Sequence, residues 1–219
     1  MLGRILAVCF FVGAAAIPMS AHANFVLNGS LEDESQLFVE TSLNYMKLFA
    51  GGTEISSWTV APVTELDIAW GKTPTGDSNY YAADGTFFVD LSGFGANSPN
   101  GGIQQKLSGL VVGQTYSFSL ASVGALPVVT IGSVLVALSA GTSFTVGGTT
   151  TWTPEFGTFV ADSTDPLLLI KNPNDLTGGV TFVDNISVTA RNQNPIPEPT
   201  TLALLGLGLA GLGFSRRKQ

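Results

Sequence analysis

Between residues 24 and 190 the apolar positions recur in short runs, without the three-to-four spacing that an amphipathic helix requires. Gly, Asn, Pro and Asp separate the runs, as in an antiparallel sandwich or barrel. The pattern predicts strands at 24–28, 56–61, 64–70, 79–82, 86–91, 102–107 and 115–123. Further strands are expected at 127–138, 142–146, 150–153, 156–161, 166–171 and 180–190. Tyr116, Phe118 and Leu120 alternate with Ser117 and Ser119, and Ile186, Val188 and Ala190 with Ser187 and Thr189. Such alternation buries one face of a strand and leaves the other polar. Val128 to Leu138 has few polar breaks and reads as one strand buried on both sides, kinked at Gly132. Asp84-Gly85 and Gly147-Gly148 suit tight hairpins. Gln36 to Phe49 reads either as a helix or as a long loop between strands. No internal repeat or second-domain boundary interrupts this stretch.

The two ends follow a different pattern. Residues 1–23 combine Arg4, an apolar run from Ile5 to Ile17 and the small-x-small triplet Ala21-His22-Ala23. This is the layout of a secretory signal peptide cleaved after Ala23, and the run is too short to span a bilayer comfortably. At the other end Pro195-Ile196-Pro197-Glu198-Pro199 is a stiff extended segment. Residues 200–214 are then almost wholly Leu, Ala and Gly, and Arg216-Arg217-Lys218 follow. As a helix the run would extend roughly 22 Å, against roughly 30 Å of hydrocarbon. Its leucines cover every face, so it is expected in lipid, with the cations holding its end in the cytoplasm.

Composition narrows the chemistry. Cys9 and His22 are the sole cysteine and histidine, and both fall in the expected signal peptide. Residues 24–194 therefore contain no Ser–His–Asp triad, thiol nucleophile or imidazole metal ligand. The same stretch holds five basic and fifteen acidic side chains, which excludes a polyanion such as DNA or RNA as a default partner. Oxygen-ligated cations and carboxylate chemistry remain.

The order Pro197-Glu198-Pro199, short apolar helix and basic terminus resembles the PEP-CTERM protein-sorting signal of exported bacterial proteins. The resemblance implies recognition of Pro197, Glu198 and Pro199 by an exosortase and a transient hold in the inner membrane. It further implies removal of the tail and delivery to the cell surface or extracellular matrix. The middle of the chain resembles the galactose-binding-like jelly-roll β-sandwiches. The matching pieces are Asn24 to Glu32, Ser57-Trp58-Thr59-Val60, Tyr81 to Gly85, Phe88 to Gly93, Gly102 to Gln105, Tyr116 to Ser119 and Asp184 to Val188. Their order is similar to that of a cell-wall-associated family of unknown function and of bacterial carbohydrate-binding modules. The domain plan expected is thus signal peptide 1–23, an all-β jelly roll at 24–194 and a sorting segment at 195–219.

Glu32 and Asp184 fall just after the first strand and at the start of the last, which lie side by side in a jelly roll. The resembling modules commonly hold a structural Ca²⁺ there, and carboxylates with backbone carbonyls suit that ion. The alternative is a solvated Glu32 and an Asp184 that caps a turn. Trp70, Tyr80 and Tyr81 are the aromatic candidates for stacking on sugar rings, with Asp67 and Asp77 as partners for sugar hydroxyls. Trp58, Trp152 and Phe156 are assigned to the core. No pair of acids stands out as a glycosidase site. The expected function is a non-catalytic binding protein for extracellular polysaccharide. A structural or adhesive matrix protein is the alternative, and a glycan hydrolase the least favoured.

Overall fold

The long strand Thr115–Gly124 forms where side chains of opposite character alternate, and the pairing register then decides which of them meet. The computed structural model describes residues 23–76, 78–94, 100–173 and 179–191. Residues 1–22, Asp77 and the segment with Pro197, Glu198, Pro199 and the 200–214 run lie outside the described residues. The larger sheet runs, in spatial order, β1 (Tyr45–Leu48), β3 (Ile68–Lys72), β4 (Phe87–Asp90), β13 (Thr181–Ala190), β6 (Thr115–Gly124), β11 (Thr150–Val160) and β10 (Phe144–Val146). A short β9 (Ser139–Ala140) also pairs with β11. The smaller sheet runs β2 (Thr59–Val60), β5 (Gly102–Lys106), β12 (Leu167–Lys171), β7 (Val128–Ile131) and β8 (Val134–Leu135). All these pairings are antiparallel, and from β4 to β7 and again from β11 to β13 the chain changes sheet at every strand. The result is an all-β two-sheet sandwich with jelly-roll crossings.

One core lies between the sheets. Phe118, Leu120, Val183 and Val188 of the larger sheet face Ile103, Val129, Leu168 and Ile170 of the smaller. A second cluster covers part of the outer face of the larger sheet, where Tyr45, Phe88, Trp152 and Phe182 pack with Ala69 and Ala121. Consecutive residues thus enter different cores: Phe87 the inner, Phe88 the outer, Val89 the inner again. This explains why all four positions of β4 are buried. Gly71 belongs to the same arrangement, because a Cβ there would come within 2.7 Å of the Phe88 ring and 2.9 Å of the Tyr45 ring.

Two expectations change, and one open choice is settled. Val128 to Leu138 is not one kinked strand but a hairpin, with Ile131 opposite Val134 and Gly132 at φ 59° in the turn. The Asp162 carboxylate holds this turn by accepting from the Ser133 amide (2.8 Å) and hydroxyl (2.6 Å). Those two bonds hold the Asp162 carboxyl below the usual carboxylate range. Gln36 to Phe49 contains no helix; it turns back at Leu43 and Asn44, both at positive φ, and ends in β1. Residues 150–153 and 156–161 merge into the single strand β11, with Pro154 at the changeover from partner β10 to partner β9. A proline is tolerated there because that edge of the ladder is already interrupted.

Trp70 is fully buried, with 0% exposure; it stacks on Phe87 at 4.6 Å and meets Phe38 edge-on at 5.5 Å. Its indole Nε1 has no hydrogen-bond acceptor, whereas Trp58 donates its own to the Asn28 carbonyl at 2.9 Å. Trp70→Ala is expected to cost about 3–5 kcal/mol, as large-to-small changes in a packed core do. Trp70→Phe removes an unsatisfied N–H and is expected to cost less than Trp58→Phe, which breaks a bond. Urea midpoints of the three variants check that order.

Candidate ligand groove and carboxylate clamp

Strand β13 carries a bulge that sets what its two halves present. Its register on β6 is Asp184 opposite Ala121 before the irregularity and Ser187 opposite Ser119 after it, one extra residue on β13. Asn185, at φ 49°, is the residue that absorbs it. A one-residue slip exchanges the faces of a strand. Beyond the bulge Ile186 and Val188 therefore enter the inner core, and Ser187 and Thr189 face outward. The N-terminal segment runs alongside: Phe25 donates to the Val188 carbonyl at 2.8 Å, and Ile186 to the Gly29 carbonyl at 2.8 Å.

This register builds rows of hydroxyls across the outer face. Thr189, Ser117 and Thr158 are successive cross-strand partners on β13, β6 and β11. In the next row Ser187 lies opposite Ser119, Ser119 opposite Phe156 and Phe156 opposite Ser139. Cross-strand partners share a face. Gly157 has no Cβ, which would come within 2.4 Å of Val136, so the segment ending in β9 comes close enough for Ala137 and Ser139 to wall one side. The result is a groove of about 440 Å³ with hydroxyl groups, the Phe156 ring and Arg191 along it. Phe156 is 50% exposed. Its assignment to the core is corrected: its register partner Ser119 places it on the outer face, beyond the reach of the second cluster.

At the bulge itself two carboxylates grip one turn. Asp184 Oδ2 accepts from the Ala83 and Asp84 amides at 2.8 and 3.0 Å, and its Oδ1 from Asn185 at 2.6 Å. Glu32 Oε1 accepts from Thr86 and Phe87 at 2.8 and 2.7 Å. Gly85 sits between them at φ 68°, and a Cβ there would lie 2.5–2.9 Å from the Glu32 carboxylate. Asp184 is wholly buried. Desolvation pushes its carboxyl up to about 8; the three amides oppose this, and the nearby Glu32 charge adds to it. Among the described residues no three His, Cys, Asp or Glu side chains cluster, so any ion here would take its remaining ligands from backbone carbonyls or water. Glu155, also buried, has its carboxyl raised by desolvation, with Ser122 at 3.3 Å as partner.

The aromatic and acidic residues expected at a sugar site do not converge. Trp70 offers no face to a ligand, being enclosed in the inner core, and its place as a ligand residue is corrected on that ground. Tyr80 is half-buried, edge-on to Phe182 at 4.7 Å. Tyr81 is half-buried against Gly147 and is fixed through its backbone, donating to Thr150 Oγ1 and accepting from Trp152 Nε1, both at 2.8 Å. Tyr80 packs against the second cluster with Val123, which lies about 20 Å along β6 from Ser117, and Tyr81 is tied to the Trp152 indole of that cluster. Asp67 pairs with Lys47 at 3.4 Å and accepts from the Phe94 amide at 2.9 Å, so it has structural partners. The groove residues were missed because serines and threonines in alternation signal an outer face without saying which strands will bring their rows together.

A carboxyl whose folded pKa lies above its ordinary value holds its proton more tightly when folded. Asp184 therefore contributes stability in full below its ordinary pKa of 3.8 and loses it as pH rises toward about 8. In chelator, the urea midpoint is expected to fall between about pH 5 and about pH 8.5. Asp184→Asn is expected to remove most of that fall and leave the smaller share of Glu155, which has the same sign. A midpoint that rises over this interval contradicts the assignment.

No curated protein matches the chain. A candidate sugar binding protein from Bacteroides thetaiotaomicron VPI-5482 is similar in structure at 15% identity and TM-score 0.40, covering 77% of this chain and 100% of its own. A CBM4 structure is similar at 13% identity and TM-score 0.32, covering 75% of this chain and 99% of its own. Residues 195–218 match the PEP-CTERM protein-sorting motif, which includes Pro197, Glu198 and Pro199. The chain thus joins an all-β two-sheet antiparallel sandwich to the PEP-CTERM motif that sorts exported proteins to the cell surface.

Proposed function

We propose that this is an exported, exosortase-processed surface or matrix protein whose sandwich binds extracellular polysaccharide and does not cut it. The observation that carries the reading is the groove on the outer face of the larger sheet. Its hydroxyl rows offer both donors and acceptors to sugar hydroxyls. The half-exposed Phe156 ring offers an apolar surface to the C–H face of a pyranose. Among the described residues no carboxylate lines the groove, whereas glycoside hydrolysis uses an acid paired with a base or nucleophile. The sorting motif supplies the route: an exosortase recognises Pro197-Glu198-Pro199, the apolar 200–214 run holds the chain in the inner membrane, and cleavage frees the sandwich at the surface.

Glu32 and Asp184 are proposed to hold a structural Ca²⁺. The donor set fits in kind, being two carboxylates that offer oxygen ligands, and the buried Asp184 lacks a cationic partner among the described residues. The ion would neutralise the pair and keep the Asp84-Gly85 turn on the bulge, with no part in ligand binding.

Phe156→Ala is expected to weaken binding of the host's exopolysaccharide by about tenfold or more, equal to about 1.4 kcal/mol. Titration calorimetry with wild type and variant measures it; affinity unchanged by the substitution removes the groove as the site. Addition of Ca²⁺ at about pH 8 is expected to raise the melting temperature of wild type but not of a Glu32→Gln/Asp184→Asn variant, with saccharide affinity unaltered. Equal melting temperatures in calcium and in chelator would sink the metal proposal.

A further inference from the structure

Arg191 is the single arginine between residues 24 and 194, in a stretch with fifteen acidic side chains, and it lies in the groove. Among the described residues it is also the one charged side chain along that groove. Its backbone is fixed, the amide donating to the Thr115 carbonyl at 3.1 Å where β13 ends. Its guanidinium has no carboxylate partner among the described residues, where the one ion pair is Lys47 with Asp67. Position follows from the bulge: Thr189 faces outward beside Ser117, and two residues further on Arg191 keeps the same side.

Resting on the saccharide reading above, we propose that the groove selects acidic saccharides, with a uronate carboxylate on Arg191 while ring hydroxyls meet the serine and threonine rows. A guanidinium is permanently charged and presents a planar fork that fits a carboxylate in a two-point contact. Acids do not oppose this at close range, because among the described residues none lines the groove and charges beyond about 8 Å are largely screened at physiological salt. A neutral polysaccharide would leave the cation with water alone. An acidic one gains a charge-assisted bond and is told apart from its neutral counterpart by that bond.

The test titrates the full chain with oligogalacturonate and with the same oligomer fully methyl-esterified, which keeps the sugar and removes the charge. Oligomannuronate and oligoglucuronate with their esters form parallel arms. The free acid of at least one pair is expected to bind about tenfold tighter than its ester. The gap should close in Arg191→Gln, persist in part in Arg191→Lys and narrow with added salt. Unchanged melting temperatures show that the variants fold, as expected for a side chain without an ion-pair partner among the described residues. Esters that bind as tightly as acids, or a gap that survives Arg191→Gln, overturn acidic selection. If binding is then still lost in Phe156→Ala, the groove remains a saccharide site. Binding of no saccharide, acidic or neutral, overturns both.

Discussion

The extra residue in β13 between Asp184 and Ser187 is the constraint on which the rest of this sandwich turns. Upstream of it, Phe182 joins the outer cluster and Val183 the inner core. Downstream, the phase is reversed, and Ile186 and Val188 enter the inner core. Without the insertion those two apolar side chains would face outward, and Ser187 and Thr189 would be buried without partners, at about 1–3 kcal/mol for each unsatisfied polar group. The bulge is held from its own base. Asp184 Oδ1 accepts from Asn185, which absorbs the extra residue, while Oδ2 accepts from the 83–84 turn.

Two features therefore share one irregularity. On one side the buried Asp184 and the neighbouring Glu32 bind four amides of residues 83–87 and form an anionic pair that needs a proton or a cation. On the other side the register sets Thr189, Ser117 and Thr158 in line and opens the groove. Ionisation at the clamp bears on stability, while among the described residues no carboxylate lines the groove. Export fits this division: a domain without cysteine or histidine gains its rigidity from sheet register and a carboxylate clamp instead of disulfides.

Much of the fold was legible in local alternation. The serines of β6 and β13 mark an outer face as plainly as Phe118 and Val188 mark an inner one, and the side-by-side first and last segments place Glu32 near Asp184. What was not legible depends on partners distant in sequence. Trp70 stood as a stacking candidate by residue type, yet the neighbouring Gly71 admits two aromatic rings in a strand buried on both faces. Phe156 looked like core by residue type, and only its register with Ser119 turns it to solvent. Val128 to Leu138 looked continuous because a turn of Gly132-Ser133 gains its anchor from Asp162, thirty residues on from Gly132. Arg191 carried a signal in its rarity, but nothing local to it shows that hydroxyl rows end beside it.

The most direct test of the account maps where saccharide touches the protein. Amide chemical shifts of the isotopically labelled chain, followed during titration with fragments of the host's exopolysaccharide, report this without substitution. The account predicts shifts concentrated at Ser117, Ser119, Phe156, Thr158, Thr189 and Arg191, with the Tyr80-Tyr81 loop silent. Shifts centred on that loop, or a saturating titration that leaves the outer face of β6, β11 and β13 unmoved, would contradict it.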